Sequence, residues 1–288
     1  RLYNKSSEGE NLKRVFAIND MSGIGKCSLT AALPIISACG VECNPVPTAV
    51  LSSHTGGLEG YTFRDLTDDL IPYATQWRNL GIKPDVIYSG YLGSIKQIDY
   101  VISIINMFDD CGAKVVVDPA MADMGQLYTG FDSDFVNEMK ALCSRADIIT
   151  PNLTEAALLT GIPYEPDYSP GYLDRIIPGL ESLTKRFTVI TGISDIPGKT
   201  GCLVCDKENK RRQYFTTEKC EGIYYGTGDV FASVLTDLTA KGADCFKAAE
   251  KAMDFTYKSI RKTFDEGTDT RLGVAFEGFL NELTGLEI

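Results

Sequence analysis

Short apolar runs alternate with longer stretches of helical periodicity along most of the chain. Val15–Asn19 (VFAIN) predicts a first strand, followed by Gly23 and Gly25. Cys27–Cys39 predicts a helix, interrupted at Pro34 and closed by Gly40. Val41–Val50 reads as extended and Phe63–Leu80 as helical, with a break at Pro72. Four clear strands follow at Val86–Ser89, Lys114–Asp118, Ile148–Thr150 and Phe187–Thr191, separated by helical patterns at Ile95–Asp110, Asp132–Cys143, Thr154–Thr160 and Tyr172–Lys185. This alternation predicts an α/β fold, a mostly parallel central sheet with helices on both faces. Ligands of such sheets sit beyond the carboxyl ends of the strands, where each of these runs ends in a polar or small residue. After Thr191 the pattern changes. Gly201–Asp206 and Arg212–Thr217 read as a strand pair, then Gly226–Lys241, Cys245–Thr263 and Gly273–Leu283 as helices. No repeat, low-complexity tract or linker divides the chain, so a single domain is expected over 13–288, behind a flexible polar tail at 1–12.

Composition narrows the function. The formal charge of −11 disfavours nucleic acid and anionic lipid as partners, and an anionic nucleotide would need locally concentrated positive potential. The nine cysteines, an odd number scattered through 288 residues, suit a reducing compartment better than a disulfide framework, so a cytoplasmic protein is expected. No run approaches the roughly 18 apolar residues of a membrane span. Cys202 and Cys205 lie three apart in a predicted strand and face opposite sides, which favours core packing over zinc or redox chemistry.

The sharpest motif is Gly226-Thr227-Gly228-Asp229, where a loop becomes a long apolar helix. Two glycines leave the backbone N–H groups bare, and the helix dipole adds positive potential. The result suits charge developing on a transferred phosphoryl group. Asp229 sits where it can take a proton from a substrate hydroxyl, or merely settle the helix start.

Together with Ser52-Ser53-His54-Thr55, Ser89-Gly90-Tyr91-Leu92-Gly93-Ser94, Asp118-Pro119-Ala120-Met121 and Thr150-Pro151-Asn152-Leu153-Thr154-Glu155, in that order, the motif resembles the vitamin B6 kinase branch of the ribokinase-like kinases. The resemblance runs from about Val15 to the C-terminal helices. It implies a ribokinase-like fold, Mg-ATP as phosphoryl donor, a B6 vitamer (pyridoxal, pyridoxine or pyridoxamine) as acceptor at its hydroxymethyl group, a homodimer and, in some members, a monovalent cation. By the same resemblance Asp229 is the base and Gly226, Thr227 and Gly228 the anion hole. Asn152 and Glu155 organise Mg²⁺, directly or through water, with Asp118 as a second acid near metal and phosphates. Thr150, Thr191 and Gly192 lie along the nucleotide, and Asn19, Thr48, His54, Thr55 and Tyr91 around the vitamin ring. The adenine is expected near Arg212–Thr217 and the last helices. Plainer readings stand beside these. Asn152 or Thr154 can be a helix cap, His54 (the sole histidine) a structural residue, Tyr91 ordinary packing, and Asp118-Pro119 a strand end.

Asp20 stands where many of these kinases carry a serine against the pyridine ring, and a carboxylate there would tilt the choice toward pyridoxamine. Asp123 follows Ala122 where the family often has glycine. Hydroxymethylpyrimidine kinases often carry Cys at the position of Asp229, so they and sugar kinases of the same fold are the nearer alternatives. From other classes, Gly23-Ile24-Gly25, with Glu42 about twenty residues on, gives a partial dinucleotide-binding match that lacks its third glycine, replaced by Ser28. Gly25-Lys26 fails as a P-loop because Cys27 follows the lysine. A binding protein that kept the fold without the chemistry is the remaining rival.

Overall fold

The computed structural model describes residues 12–166, 170–193 and 196–284; the expected tail lies outside them apart from Leu12. In chain order these form β1 (Arg14–Ile24), α1 (Ser28–Ala38), β2 (Glu42–Ser53), β3 (Phe63–Asp65), α2 (Leu70–Asn79), β4 (Val86–Ser89), α3 (Ile95–Met107), β5 (Lys114–Val117), a hairpin of β6 (Ala122–Asp123) and β7 (Gln126–Leu127), α4 (Ser133–Cys143), β8 (Ile148–Ile149), α5 (Leu153–Thr160), α6 (Pro170–Leu183), β9 (Phe187–Ile193), β10 (Lys199–Asp206), β11 (Arg211–Glu218), α7 (Thr227–Ala240), α8 (Cys245–Glu266) and α9 (Leu280–Leu283).

The main sheet has the order β11-β10-β9-β8-β5-β4-β1-β2-β3. The run from β9 to β2 is parallel, and β3, β10 and β11 add antiparallel edges. Side-chain alternation splits the core in two. Phe16, Ile18, Ile87, Val115 and Val117 face a layer built from α2–α6. Val15, Ala17, Val86, Tyr88 and Val116 face α1, α7, α8 and α9. Cys205 falls in the first layer and Cys202 in the second, as their spacing predicts. No described helix is long and apolar enough to cross a membrane.

Two features of β1 and β2 shape the site. β4 pairs with β1 only as far as Ile18, so Asn19–Ile24 runs beyond the sheet with β2 alone. A bulge after Asn19 shifts the register, and β3 pairs with Ala49–Leu51 to complete a small flap. β3 leaves the outer edge of Glu42–Pro47 unpaired, so proline is tolerated at Pro45 and Pro47.

Three sequence expectations are corrected. β1 continues through Gly23 and Ile24 instead of turning, which removes the dinucleotide-binding reading of those glycines. The helix expected from Phe63 starts at Leu70, because Phe63–Asp65 pairs with β2; Pro72 then falls in the first turn, where its missing N–H costs no helical bond. The helix expected over Gly273–Leu283 is irregular to Phe276, then one 3₁₀ turn (Glu277–Phe279) and the single turn of α9. There Val274 and Phe276 are drawn into the core, and the Ala275 N–H bonds the Thr263 hydroxyl rather than a helical carbonyl.

Candidate active site

The site assembles at the carboxyl edge of the parallel strands, where α7 begins. Gly226 caps α7 with φ +76°, and a Cβ there would stand 2.6 Å from the Lys26 carbonyl oxygen. Only glycine meets both demands without strain. The Val230 N–H makes the first helical bond, to the Gly226 carbonyl at 3.0 Å. The N–H groups of Thr227, Gly228 and Asp229 therefore have no acceptor within the helix and point out of its positive end. Val230, Phe231, Val234, Leu235 and Leu238 are buried, and their burial contributes on the order of 10 kcal/mol before conformational entropy is charged against it. That anchorage holds the bare N-terminus still.

Asp229 lies in the first turn of α7 and is part-exposed. The Asn19 amide donates to its Oδ1 at 3.5 Å, and the Ser28 backbone N–H also favours its charged form. Burial nevertheless pushes its carboxyl up to about 7, with the nearby Asp20 adding to the rise. A carboxylate with that proton affinity is well matched to accepting a proton near neutral pH.

Two further acids lie close by. Asp118, just past β5, is pushed up to about 8 by burial and by Asp229. Gly228 is close enough that an added Cβ would stand 3.8 Å from the Asp118 carboxylate. Glu155 is raised well above the usual carboxylate range by burial and by Asp118. Its oxygens accept from the Met121 N–H at 3.1 Å and the Asn152 N–H at 2.9 Å. Asn152 accepts in turn from the Glu155 N–H at 2.9 Å and donates to the Ala122 carbonyl at 2.8 Å. Asn152 and Glu155 thus form a complete capping box on α5, the plainer of the two readings, with their polar atoms engaged by backbone.

Among the described residues, no lysine or arginine is a leading influence on Asp118, Glu155 or Asp229. A hydrated divalent cation fits such a set: Asp118 lies beside Gly228 at the start of α7, while Glu155, held by backbone donors, is suited to act through water. Among the described residues no group of three His, Cys, Asp or Glu could by itself hold a metal ion. The hydroxyls of Thr48, in β2, and Ser89, the last residue of β4, are buried without hydrogen-bond partners, while the Thr150 side chain, just past β8, supports the Asp118 carboxylate by a hydrogen bond. Thr191 and Gly192 follow on β9, with Thr191 bridged to Asn152.

On the flap side, Asp20 is buried and accepts hydrogen bonds from Ser22 at 2.8 Å and Ser28 at 2.5 Å. Burial raises its pKa. Tyr91, pushed up to about 12 chiefly by burial, stacks on Phe131 with ring centroids 5.8 Å apart and lies within the field of Asp20 and Tyr61. His54 is buried and both of its ring nitrogens are hydrogen-bonded to backbone, at Gly56 and Arg271. Thr55 is exposed on the flap loop. The structure therefore gathers Asn19, Asp20, Asp118, Glu155 and Asp229 around the start of α7 and leaves Thr55 at the rim.

Sequence reasoning missed Ser28, which joins Asp20 through its hydroxyl to Asp229 through its N–H. It missed Gly90 as well, whose bare Cα gives the Asn19 amide its place; a Cβ there would overlap that amide. Gly90 lies in a quoted motif, but Ser28 gives no local signal: its φ of +52°, and that of Lys26 at +50°, are imposed by the tertiary structure.

The sequence matches the phosphomethylpyrimidine kinase family over residues 25–272. The chain belongs to that family. Human pyridoxal kinase is 27% identical over 271 residues, spanning 87% of this chain and 85% of its own length. A crystal structure from Bacteroides thetaiotaomicron described as a phosphomethylpyrimidine kinase, in a form with pyridoxal, gives a TM-score of 0.89 at 37% identity over 95% of this chain and 96% of that one. Pyridoxal kinase from Lactobacillus plantarum gives 0.86 at 32% identity over 95% and 97%. The fold is ribokinase-like, the chain sits among the vitamin B6 kinases of that superfamily, and it is a phosphotransferase with an alcohol group as acceptor.

Proposed function

We propose that this phosphotransferase moves the γ-phosphoryl group of ATP to the hydroxymethyl group of a B6 vitamer. The observation that carries the reading is Asp229, a carboxylate of near-neutral proton affinity set in the first turn of α7 beside three free N–H groups. The ordered motifs that the chain shares with B6 kinases, and its likeness to a structure solved with pyridoxal, favour the vitamer as acceptor.

The acceptor hydroxyl lies between Asp229 and the phosphoryl group. As its oxygen bonds the γ-phosphorus, Asp229 takes its proton and the bond to the β-phosphate oxygen breaks, releasing ADP. The N–H groups of Thr227, Gly228 and Asp229 stabilise the charge that develops on the transferred oxygens. Asn19 and the Ser28 N–H hold the carboxylate in place. Asp118 and, through water, Glu155 are the residues that would hold Mg²⁺, which neutralises phosphate charge when bound. Tyr91, Asp20 and Thr48 form the wall nearest the ring, while Thr150, Thr191 and Gly192 lie on the nucleotide side.

The family's own description favours a second reading, hydroxymethylpyrimidine as acceptor, with the same machinery. An ADP-release assay with Mg-ATP against pyridoxal, pyridoxine, pyridoxamine, hydroxymethylpyrimidine and ribose separates the two. Turnover of a vitamer is expected; turnover confined to the pyrimidine or the sugar would reassign the acceptor.

A further inference from the structure

A segment outside every motif ties the site together. Asp269 caps a short 3₁₀ turn, Thr270–Leu272, by accepting from the Arg271 N–H at 3.0 Å. The Arg271 carbonyl accepts from His54 Nε2 at 2.6 Å, across 217 residues of sequence. His54 Nδ1 accepts from the Gly56 N–H at 3.0 Å, so the ring proton lies on Nε2 and both nitrogens are spent. The backbone N–H of His54 reaches the Ile24 carbonyl at 3.1 Å, at the end of β1. From the other side, the Thr270 carbonyl accepts from the Tyr225 N–H at 3.5 Å, one residue before the Gly226 cap.

Glycines let these parts touch. A Cβ at Gly25 would overlap the His54 ring, and one at Gly273 would overlap the Gly25 carbonyl. One at Gly56 would stand 2.7 Å from the Tyr225 ring, which packs 5.4 Å from the His54 ring. The flap loop, the Gly25–Ser28 loop and the turn that opens α7 therefore meet at one small knot of backbone.

We propose that the Asp269–Gly273 turn is the keystone of the phosphoryl-transfer site, with His54 as a positioning residue. Through His54 the turn fastens the flap that walls the acceptor pocket; through Tyr225 it fastens the anion hole. With both ring nitrogens committed to backbone, His54 acts through the placement of these two parts and not by hydrogen-bonding the acceptor.

Hydrogen exchange on the full-length protein, without ligand, tests this independently of which acceptor is used. His54→Ala should speed exchange about tenfold or more both in the flap loop and in the Tyr225–Gly228 turn, as two hydrogen bonds are lost. His54→Gln, which carries one acceptor and one donor at its tip, should restore most of the protection. Faster exchange confined to the flap loop, or a glutamine variant no better than alanine, would overturn the proposal. Should His54→Ala fail to fold, Asp269→Ala carries the same test: loosening of both segments is expected, and unchanged exchange at Tyr225–Gly228 overturns it. The kinetic arm rests on the B6 kinase reading: with a vitamer as acceptor, His54→Ala should lower kcat and raise acceptor-independent ADP release, both recovered by glutamine. A rise in the KM for the vitamer alone, with kcat and ADP leakage unchanged, would mark His54 as a simple substrate contact and overturn the positioning role.

Discussion

Replacing Asp229 by Asn separates the chemistry of this residue from its packing. The amide keeps an oxygen to accept from Asn19 and the Ser28 N–H, so the shape of the site survives. What it removes is the base. Positioned proton transfer is worth about 10²–10⁴ in rate, or roughly 2.7–5.5 kcal/mol of barrier. We expect kcat to fall by that factor in an ADP-release assay at saturating Mg-ATP, while the KM for the acceptor changes by less than about threefold. A second, opposite effect follows from the same residue. Holding the carboxyl at about 7 instead of the usual 3.8 is a rise of about 3 units, and so disfavours the charged form by about 4 kcal/mol. Because the native state binds the proton more tightly, stability falls as pH rises from the usual value through about 7. Asp229→Asn should therefore melt at a higher temperature than wild type at pH 8 in the absence of ligand, with the gap narrowing below pH 7 and closing towards the usual carboxylate value of 3.8. A variant with near wild-type kcat, or one destabilised at pH 8, would refute the reasoning.

Three further outcomes are expected. Gly90→Ala places a Cβ on the Asn19 amide; kcat should fall about tenfold or more with near-normal melting, whereas wild-type kcat would remove Asn19 from the positioning of Asp229. Asp237, fully buried in α7 with its pKa raised to about 6, chiefly by burial, costs stability as pH rises through that value. The stability of Asp237→Asn relative to wild type should thus grow by about 2 kcal/mol between pH 4 and pH 8 in urea titrations, and a flat difference would refute it. Asp20→Ser should lower kcat/KM for pyridoxamine relative to pyridoxal; an unchanged ratio removes Asp20 from vitamer choice.

Much of the architecture was legible because the parallel strands are buried on both faces and read as continuous apolar runs, Val86–Ser89 and Lys114–Val117 among them. The start of α7 was legible for a different reason. An anion-binding helix start needs glycines and a carboxylate at fixed neighbouring positions, and Gly226–Asp229 supplies them in sequence. What stayed hidden depends on contacts between distant segments. β3 is three exposed residues recruited by β2, with no pattern of their own. The stretch after Gly273 is irregular and then 3₁₀ instead of a regular helix because Val274 and Phe276 are pulled into the core. Ser28 enters the site only through a left-handed backbone that the surrounding loop imposes. The Asn152–Glu155 pair was visible, but the engagement of its side chains by the Met121 and Ala122 backbone was not, since that hairpin lies some thirty residues away.

The most direct test of the account is internal competition. Equal concentrations of pyridoxal and hydroxymethylpyrimidine are supplied in one tube with limiting Mg-ATP, and both phosphorylated products are measured by mass spectrometry. The product ratio at low conversion equals the ratio of kcat/KM values. The account predicts that pyridoxal phosphate dominates. A product pool dominated by hydroxymethylpyrimidine phosphate would contradict it and assign this site to the pyrimidine.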